Sequence, residues 1–170
     1  IETNWQSRPP KLLWKQAIGE GWSGVSVRGD VGITMEQRDQ EEWVSAYDLR
    51  DGSLVWKHAI VCRHVDSLGG VGPRSTPAVT ADRVYACSAV SEVVCLDLNT
   101  GSLIWSQDLD LLAKVSHEDL EEDLLYGRSG SPLVLDSTLV VPLGGSQKAS
   151  CSLIALDLQT GEERWRTGDK

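Results

Sequence analysis

The chain has 170 residues, a formal net charge of −9 and a composition that is 41% hydrophobic. That length accommodates one ordinary domain with its core, and that apolar fraction excludes an intrinsically disordered chain. The negative charge opposes binding to a nucleic-acid backbone or an anionic membrane surface, and no apolar run is long enough to span a bilayer as a helix.

The chain starts at Ile1, without Met and without the profile of a signal peptide. We expect a fragment or a processed product. The first expected element is a leading outer strand over residues 11–18, where Lys11-Leu12-Leu13-Trp14 matches the last strand of the later units. Gly24-Val25-Ser26-Val27 and Gly32-Ile33-Thr34-Met35 follow as short strands. The phrase Ala46-Tyr47-Asp48-Leu49-Arg50-Asp51-Gly52-Ser53-Leu54-Val55-Trp56 closes a first unit at about residues 20–57. A connection from Lys57 to Gly72 leads to a second unit, about 73–107. It runs through Thr76-Pro77-Ala78-Val79 and Arg83-Val84-Tyr85-Ala86-Cys87 to the phrase from Cys95 to Trp105. A second connection, Asp108 to Tyr126, is acidic, with leucines at 109, 112, 120 and 124, and suits a short helix. The third unit, about 127–167, has Ser131-Pro132-Leu133-Val134, then Thr138-Leu139-Val140-Val141-Pro142, then the phrase from Ala155 to Trp165.

The spacing from Asp to Gly to Trp is the same in all three phrases, which marks a repeat architecture. Asp48, Asp97 and Asp157 are expected to close Asx-type turns by accepting backbone N–H groups two or three residues on. Gly52, Gly101 and Gly161 fall where a hairpin loop needs a left-handed residue. Trp56, Trp105 and Trp165 end the next strand, where a large indole suits a repeated docking contact between units. Runs such as Val93-Val94-Cys95-Leu96 are continuously apolar, so both faces of the sheet should be covered. Four antiparallel strands per unit, covered on both faces and stacked radially, describe a β-propeller blade. The expected fold is all-β, a β-propeller segment of three blades plus the leading strand.

With these features the chain resembles the PQQ-like, or quinoprotein-like, β-propeller repeat family. The A-x-D-x-x-T-G-x-x-x-W phrase of that family is matched throughout from Ala155 to Trp165; the second copy has Cys95 for Ala and the first has Asp51 for Thr. Gly19-Glu20-Gly21-Trp22-Ser23, Gly72-Pro73-Arg74-Ser75-Thr76-Pro77 and Gly130-Ser131-Pro132-Leu133-Val134 are similar to the planctomycete-type PQQ-binding-like repeat proteins. More distantly, the chain is similar to the outer-membrane assembly lipoproteins called BamB. The resemblance implies a ring of more blades than are present here. Open ends would expose apolar blade faces, so we expect further blades of a parent protein, a protein partner, or self-association through open blade edges. It also implies a periplasmic or cell-envelope setting and a non-catalytic scaffold or binding module. The alternatives under the same resemblance are a quinoprotein oxidoreductase using PQQ with calcium, completed by blades outside this chain, and a sensor propeller of a bacterial kinase-related protein.

No catalytic residue is assigned, and no cofactor is expected outside the quinoprotein alternative. As the resemblance implies, an active quinone enzyme would need calcium-binding carboxylates and amides and often adjacent cysteines; no vicinal cysteine pair occurs. Arg74 precedes the inner strand of the second unit and is a weak candidate for gripping a carboxylate or phosphate on a cofactor. The competing reading is a structural ion pair, the usual role of a lone charge. Cys62, His64 and Asp66, with His58 nearby, are weak metal candidates at a spacing that matches no established site. His117 is expected on a solvated helix face. Cys62, Cys87, Cys95 and Cys151 form no C-x-x-C pair and are expected to be free thiols.

Overall fold

Short apolar runs punctuated by turn residues become three four-stranded antiparallel sheets, each a meander in chain order. The computed structural model describes residues 4–115, 126–143 and 151–168. The first sheet contains β1 (Ser26–Arg28), β2 (Val31–Arg38), β3 (Glu41–Asp48) and β4 (Leu54–Ile60). Two short strands, β5 (Val65–Asp66) and β6 (Gly70–Val71), pair within the first connection. The second sheet contains β7 (Ala78–Val79), β8 (Arg83–Cys87), β9 (Glu92–Asp97) and β10 (Leu103–Asp108). After α1 (Leu109–Ala113), the third contains β11 (Leu133–Leu135), β12 (Thr138–Pro142), β13 (Leu153–Asp157) and β14 (Glu163–Thr167).

Helix α1 confirms a short helix in the acidic connection. Asp108 caps it by accepting the N–H groups of Asp110 and Leu111 at 2.8 and 3.1 Å. Lys114, in the left-handed region, ends it. His117, Leu120 and Leu124 lie outside the described residues.

The core lies between sheets. One cluster joins Ile33, Met35, Val44 and Ala46 of the first unit to Val84, Ala86, Val94 and Leu96 of the second. Another joins Tyr85, Cys87, Val93 and Cys95 of the second to Leu139, Val141, Ile154 and Leu156 of the third. Residues 93–96 are all fully buried, as a strand covered on both faces requires.

Register assigns residues to faces. Ile33–Ala46–Trp56, Tyr85–Cys95–Trp105 and Val140–Ala155–Trp165 are matching cross-strand triples. The first two triples face the following unit; in the third, Trp165 is 44% exposed. The opposite face of the second unit carries Ala86 and Val94, and that of the third carries Val141 and Ile154. The same positions in the first unit hold Thr34 and Ser45, followed by Glu36, all buried. The face of the first unit turned away from the second is therefore polar.

The leading segment differs from expectation. Residues 11–18 form no strand, although an isolated bridge joins Glu20 to Gln37. A strand is defined by a ladder partner, and among the described residues nothing pairs with this run. Leu12 and Leu13 are each 76% exposed.

Candidate functional site

The three repeated turns share one geometry. Asp48, Asp97 and Asp157 each accept the N–H of the glycine four residues later at 2.8–2.9 Å. Their carboxylates accept the N–H groups of Arg50, Asn99 and Gln159 at 2.8, 3.0 and 2.7 Å. Asp97 and Asp157 also accept from Thr100 and Thr160. Asp51 fills the place of these threonines, since its Oδ1 accepts the Ser53 N–H as the Thr100 and Thr160 hydroxyls accept the next N–H but one. The Arg50 guanidinium holds Asp48 down at about 2, and Arg164 does the same for Asp157.

Each turn receives an indole from the segment that precedes its unit in the chain. Trp56 Nε1 donates to Leu98 O at 2.8 Å, and Trp105 Nε1 donates to Leu158 O at 3.1 Å. Trp14 makes the same bond to Leu49 O at 2.7 Å. The glycines hold φ values of 77°, 69° and 72°. A Cβ on Gly52, Gly101 or Gly161 would stand 2.6, 2.5 or 2.7 Å from Cε3 of Trp14, Trp56 or Trp105. Glycine thus serves twice, in backbone conformation and in space for the ring. The indoles sit within their strands rather than at the ends. In each unit the register shifts by one residue just before Trp, at Val55, Ile104 and Arg164, a β-bulge that sequence spacing did not reveal. Trp165 is 44% exposed, and among the described residues no turn receives it.

The first connection gathers three of the four weak candidates. Asp66 Oδ1 accepts the Leu68 and Gly69 N–H groups at 2.9 and 2.7 Å. Its Oδ2 pairs with Arg74 and lies 3.5 Å from His64 Nε2. Those backbone bonds, with Arg74, keep the Asp66 carboxyl low. Burial, with the Arg74 cation, lowers the pKa of His64. A guanidinium at this point opposes a bound cation, and Arg74 has its carboxylate within the chain. Cys62 is elsewhere, beside Glu42, and burial pushes its thiol up to about 12. Among the described residues no group of three or more His, Cys, Asp or Glu side chains is placed to hold a metal. Cys62, Cys87 and Cys95 are free thiols.

Two buried glutamates, absent from the sequence-level candidates, differ sharply. Glu36 accepts from Ser45 Oγ at 2.6 Å, Tyr47 OH at 2.5 Å, Arg38 Nε at 3.0 Å and the Gly19 N–H. Burial alone would raise its pKa, but these donors hold it below the ordinary value. Glu42 accepts the Ala89 N–H at 3.0 Å across the first interface and stands beside the Cys62 thiol; among the described residues its Oε1 has no partner in hydrogen-bond geometry. Burial therefore lifts it to about 7, against the pull of Ala89, Cys62 and Arg74. Ala89 O in turn accepts the Arg128 N–H at 2.7 Å, and Arg128 pairs with Asp110 at 2.5 Å. The connections are thereby bonded across all three units. No alternation or motif marked these residues, because their partners come from distant segments.

Residues 40–170 match the PQQ-like repeat family described as outer membrane protein assembly factor BamB. The chain belongs to this family. The BamB of Xanthomonas campestris is 32% identical over 99 residues, covering 58% of this chain and 22% of that protein. The quinohemoprotein alcohol dehydrogenase ADH-IIG of Pseudomonas putida is 28% identical over 134 residues, covering 72% of this chain and 16% of that protein. The chain thus spans less than a third of the length of either relative. The crystal structure of BamB from Moraxella catarrhalis superposes with a TM-score of 0.59 at 17% identity, over 92% of this chain and 55% of that one. The all-β architecture is that of a β-propeller. Among the described residues no helix is long and apolar enough to cross a membrane.

Replacing Trp105 by Ala is expected to cost about 3–5 kcal/mol, as for a lost buried Trp, whereas Trp165→Ala should cost roughly 1 kcal/mol or less. Denaturant midpoints check the contrast; equal losses would remove the contact from its role. Gly101→Ala should cost about 2–4 kcal/mol, combining strained backbone with a clash against Trp56.

Glu42 sets a pH dependence. Its folded pKa of about 7 exceeds the model-peptide value of 4.5, so the native state holds the proton longer than the unfolded chain. The stability this provides is complete below the unfolded value and declines as pH rises to 7, by about 3 kcal/mol in order of magnitude. Glu42→Gln should flatten stability between pH 5 and about 8 and raise it at the upper end. Melting curves at both limits decide it; an unchanged slope removes Glu42 as the cause.

Proposed function

We propose that the chain is a non-catalytic propeller scaffold whose inter-unit connections present a binding surface to a protein partner in the periplasm or cell envelope. One observation carries this reading. Trp22 is 68% exposed, yet it is held by its Nε1 bond to Gly69 O at 2.5 Å and its N–H bond to Pro73 O at 2.8 Å. Beside it, Leu68 is 77% exposed at the tip of the β5–β6 hairpin. A rigid exposed aromatic next to an exposed aliphatic has the composition of an interface core, at little ordering cost on binding. The charged groups around it are engaged internally, which supports a holding role for them. Further units of a longer protein, or another copy of the chain, would cover the open faces.

A second reading has its own support. The alcohol dehydrogenase match extends over more of this chain than the Xanthomonas BamB match does. PQQ with calcium would supply the redox chemistry there. The residues of this chain do not fit that group by themselves, since Arg74 is paired with Asp66 and the described residues converge on no metal.

The two readings separate in one experiment. Incubation with PQQ and calcium, followed by gel filtration, is expected to leave no quinone absorbance with the protein and no dye-linked alcohol oxidation. Retained quinone with activity overturns the scaffold reading. Photo-crosslinkers at Leu68 and at the outer-strand residue Val55 test the surface directly: discrete adducts should form at Leu68 only.

A further inference from the structure

We propose that Glu42 and Asp66 compete for the Arg74 guanidinium, so that ionisation of Glu42 draws Arg74 off the β5–β6 hairpin and loosens the surface made by Trp22 and Leu68. This rests on the reading that the surface receives a protein partner, and it names a regulation of it.

Arg74 supports the hairpin near its tip. It pairs with Asp66 Oδ2, and the Arg74 and Asp66 side chains are only 14% and 5% exposed. The guanidinium lies against Gly69, where a Cβ would run into it. Gly69 donates its N–H to Asp66 Oδ1, and its carbonyl accepts the Trp22 indole N–H. Arg74 thus backs the residue that fixes the exposed ring, and movement of the guanidinium removes that support.

Glu42 lies beneath the same connection. It stands opposite Gln37 in the β2–β3 ladder, on the face turned to the second unit. The connection leaves over this pair and returns to it. Cys62 O accepts Gln37 Nε2 at 3.0 Å, and a Cβ on Gly72 would stand 3.1 Å from that of Gln37. Among the described residues, the titratable and charged groups about Glu42 are Cys62 and Arg74 from the connection and His58 from β4, which feels the charge of Glu92 on β9. His64, 3.5 Å from Asp66 Oδ2, is a further group acted on by Arg74.

The Arg74 cation acts on both carboxylates. A protonated Glu42 makes no demand on it, and Asp66 keeps it. An ionised Glu42 is a fully buried charge with the Ala89 N–H and the Cys62 thiol as donors, too few to replace water. With little solvent to screen the charge, the guanidinium neutralises it by leaving Asp66. Asp66 tolerates the loss because the Leu68 and Gly69 N–H groups still hold its other oxygen. Two positions of one cation form the bistable element that the proton biases. Burial brings the Glu42 step to about 7 and holds His58 and His64 below the ordinary histidine value, so the Glu42 step is the highest of the three.

NMR spectra of the native full chain from about pH 5.5 to 8.5 test this. The Trp22 indole N–H and Gly69 amide signals are expected to shift with a midpoint near pH 7, the indole toward the position of an unbonded N–H. The Trp56 indole, bonded to Leu98 O, should stay in place. Glu42→Gln should abolish the step, and Arg74→Gln should hold both signals at their high-pH positions throughout. Unmoved Trp22 and Gly69 signals in the unaltered chain overturn the proposal, as does a step that survives Glu42→Gln or one that the Trp56 indole shares. Should Arg74→Gln not fold, the Glu42→Gln comparison decides alone. Retained quinone, or no adduct at Leu68, would remove the partner reading and leave these signals as they are, because they report the hairpin without any partner.

Discussion

The architecture depends on an indole laid on a glycine turn of the next sheet. A four-stranded meander of short strands has two faces to cover and no core of its own. The indole supplies a large apolar area and, through one N–H, a directional bond to a backbone carbonyl. Leu49, Leu98 and Leu158 provide that carbonyl while their own N–H groups are held by Asp30, Asp82 and Ser137. The acceptor is thus fixed from both sides before the ring arrives. The bulge before each Trp aims the ring out of its own sheet and toward its neighbour.

The ends of the stack are not equivalent. Apolar side chains fill both internal interfaces, whereas the outer face of the first unit buries Glu36, Ser45 and Thr34. That face is stable because Glu36 collects four donors, which outweigh the desolvation of its charge. Glu42, with fewer and weaker donors, shows the opposite balance in the same sheet, and burial lifts its carboxyl to about 7. Burial is common to both; the number of donors decides the sign.

The connections carry the features on which partner recognition is proposed. Asp66 shapes its own hairpin, as the aspartates of the repeated turns do, and then anchors Arg74. Arg74 is therefore a brace for the hairpin that sets Leu68 beside Trp22, and the structural ion pair weighed for it is the arrangement seen. Family membership leaves relatives named for different functions, because a shared repeat fold does not by itself fix a function.

Local chemistry made much of this legible without coordinates. Asp and Gly at fixed offsets determine turns through backbone rules that act over a few residues, and continuous apolar strands announce sheets covered on both faces. The strand order and the matching Trp positions followed from these. Tertiary structure alone decided which carbonyl each indole meets, that Trp14 sits in a turn without pairing as a strand, and that Glu42 stands nearly unpartnered while Glu36 does not. Those outcomes depend on groups tens of residues apart in the chain, and on how many donors reach a buried oxygen. Sequence spacing records neither.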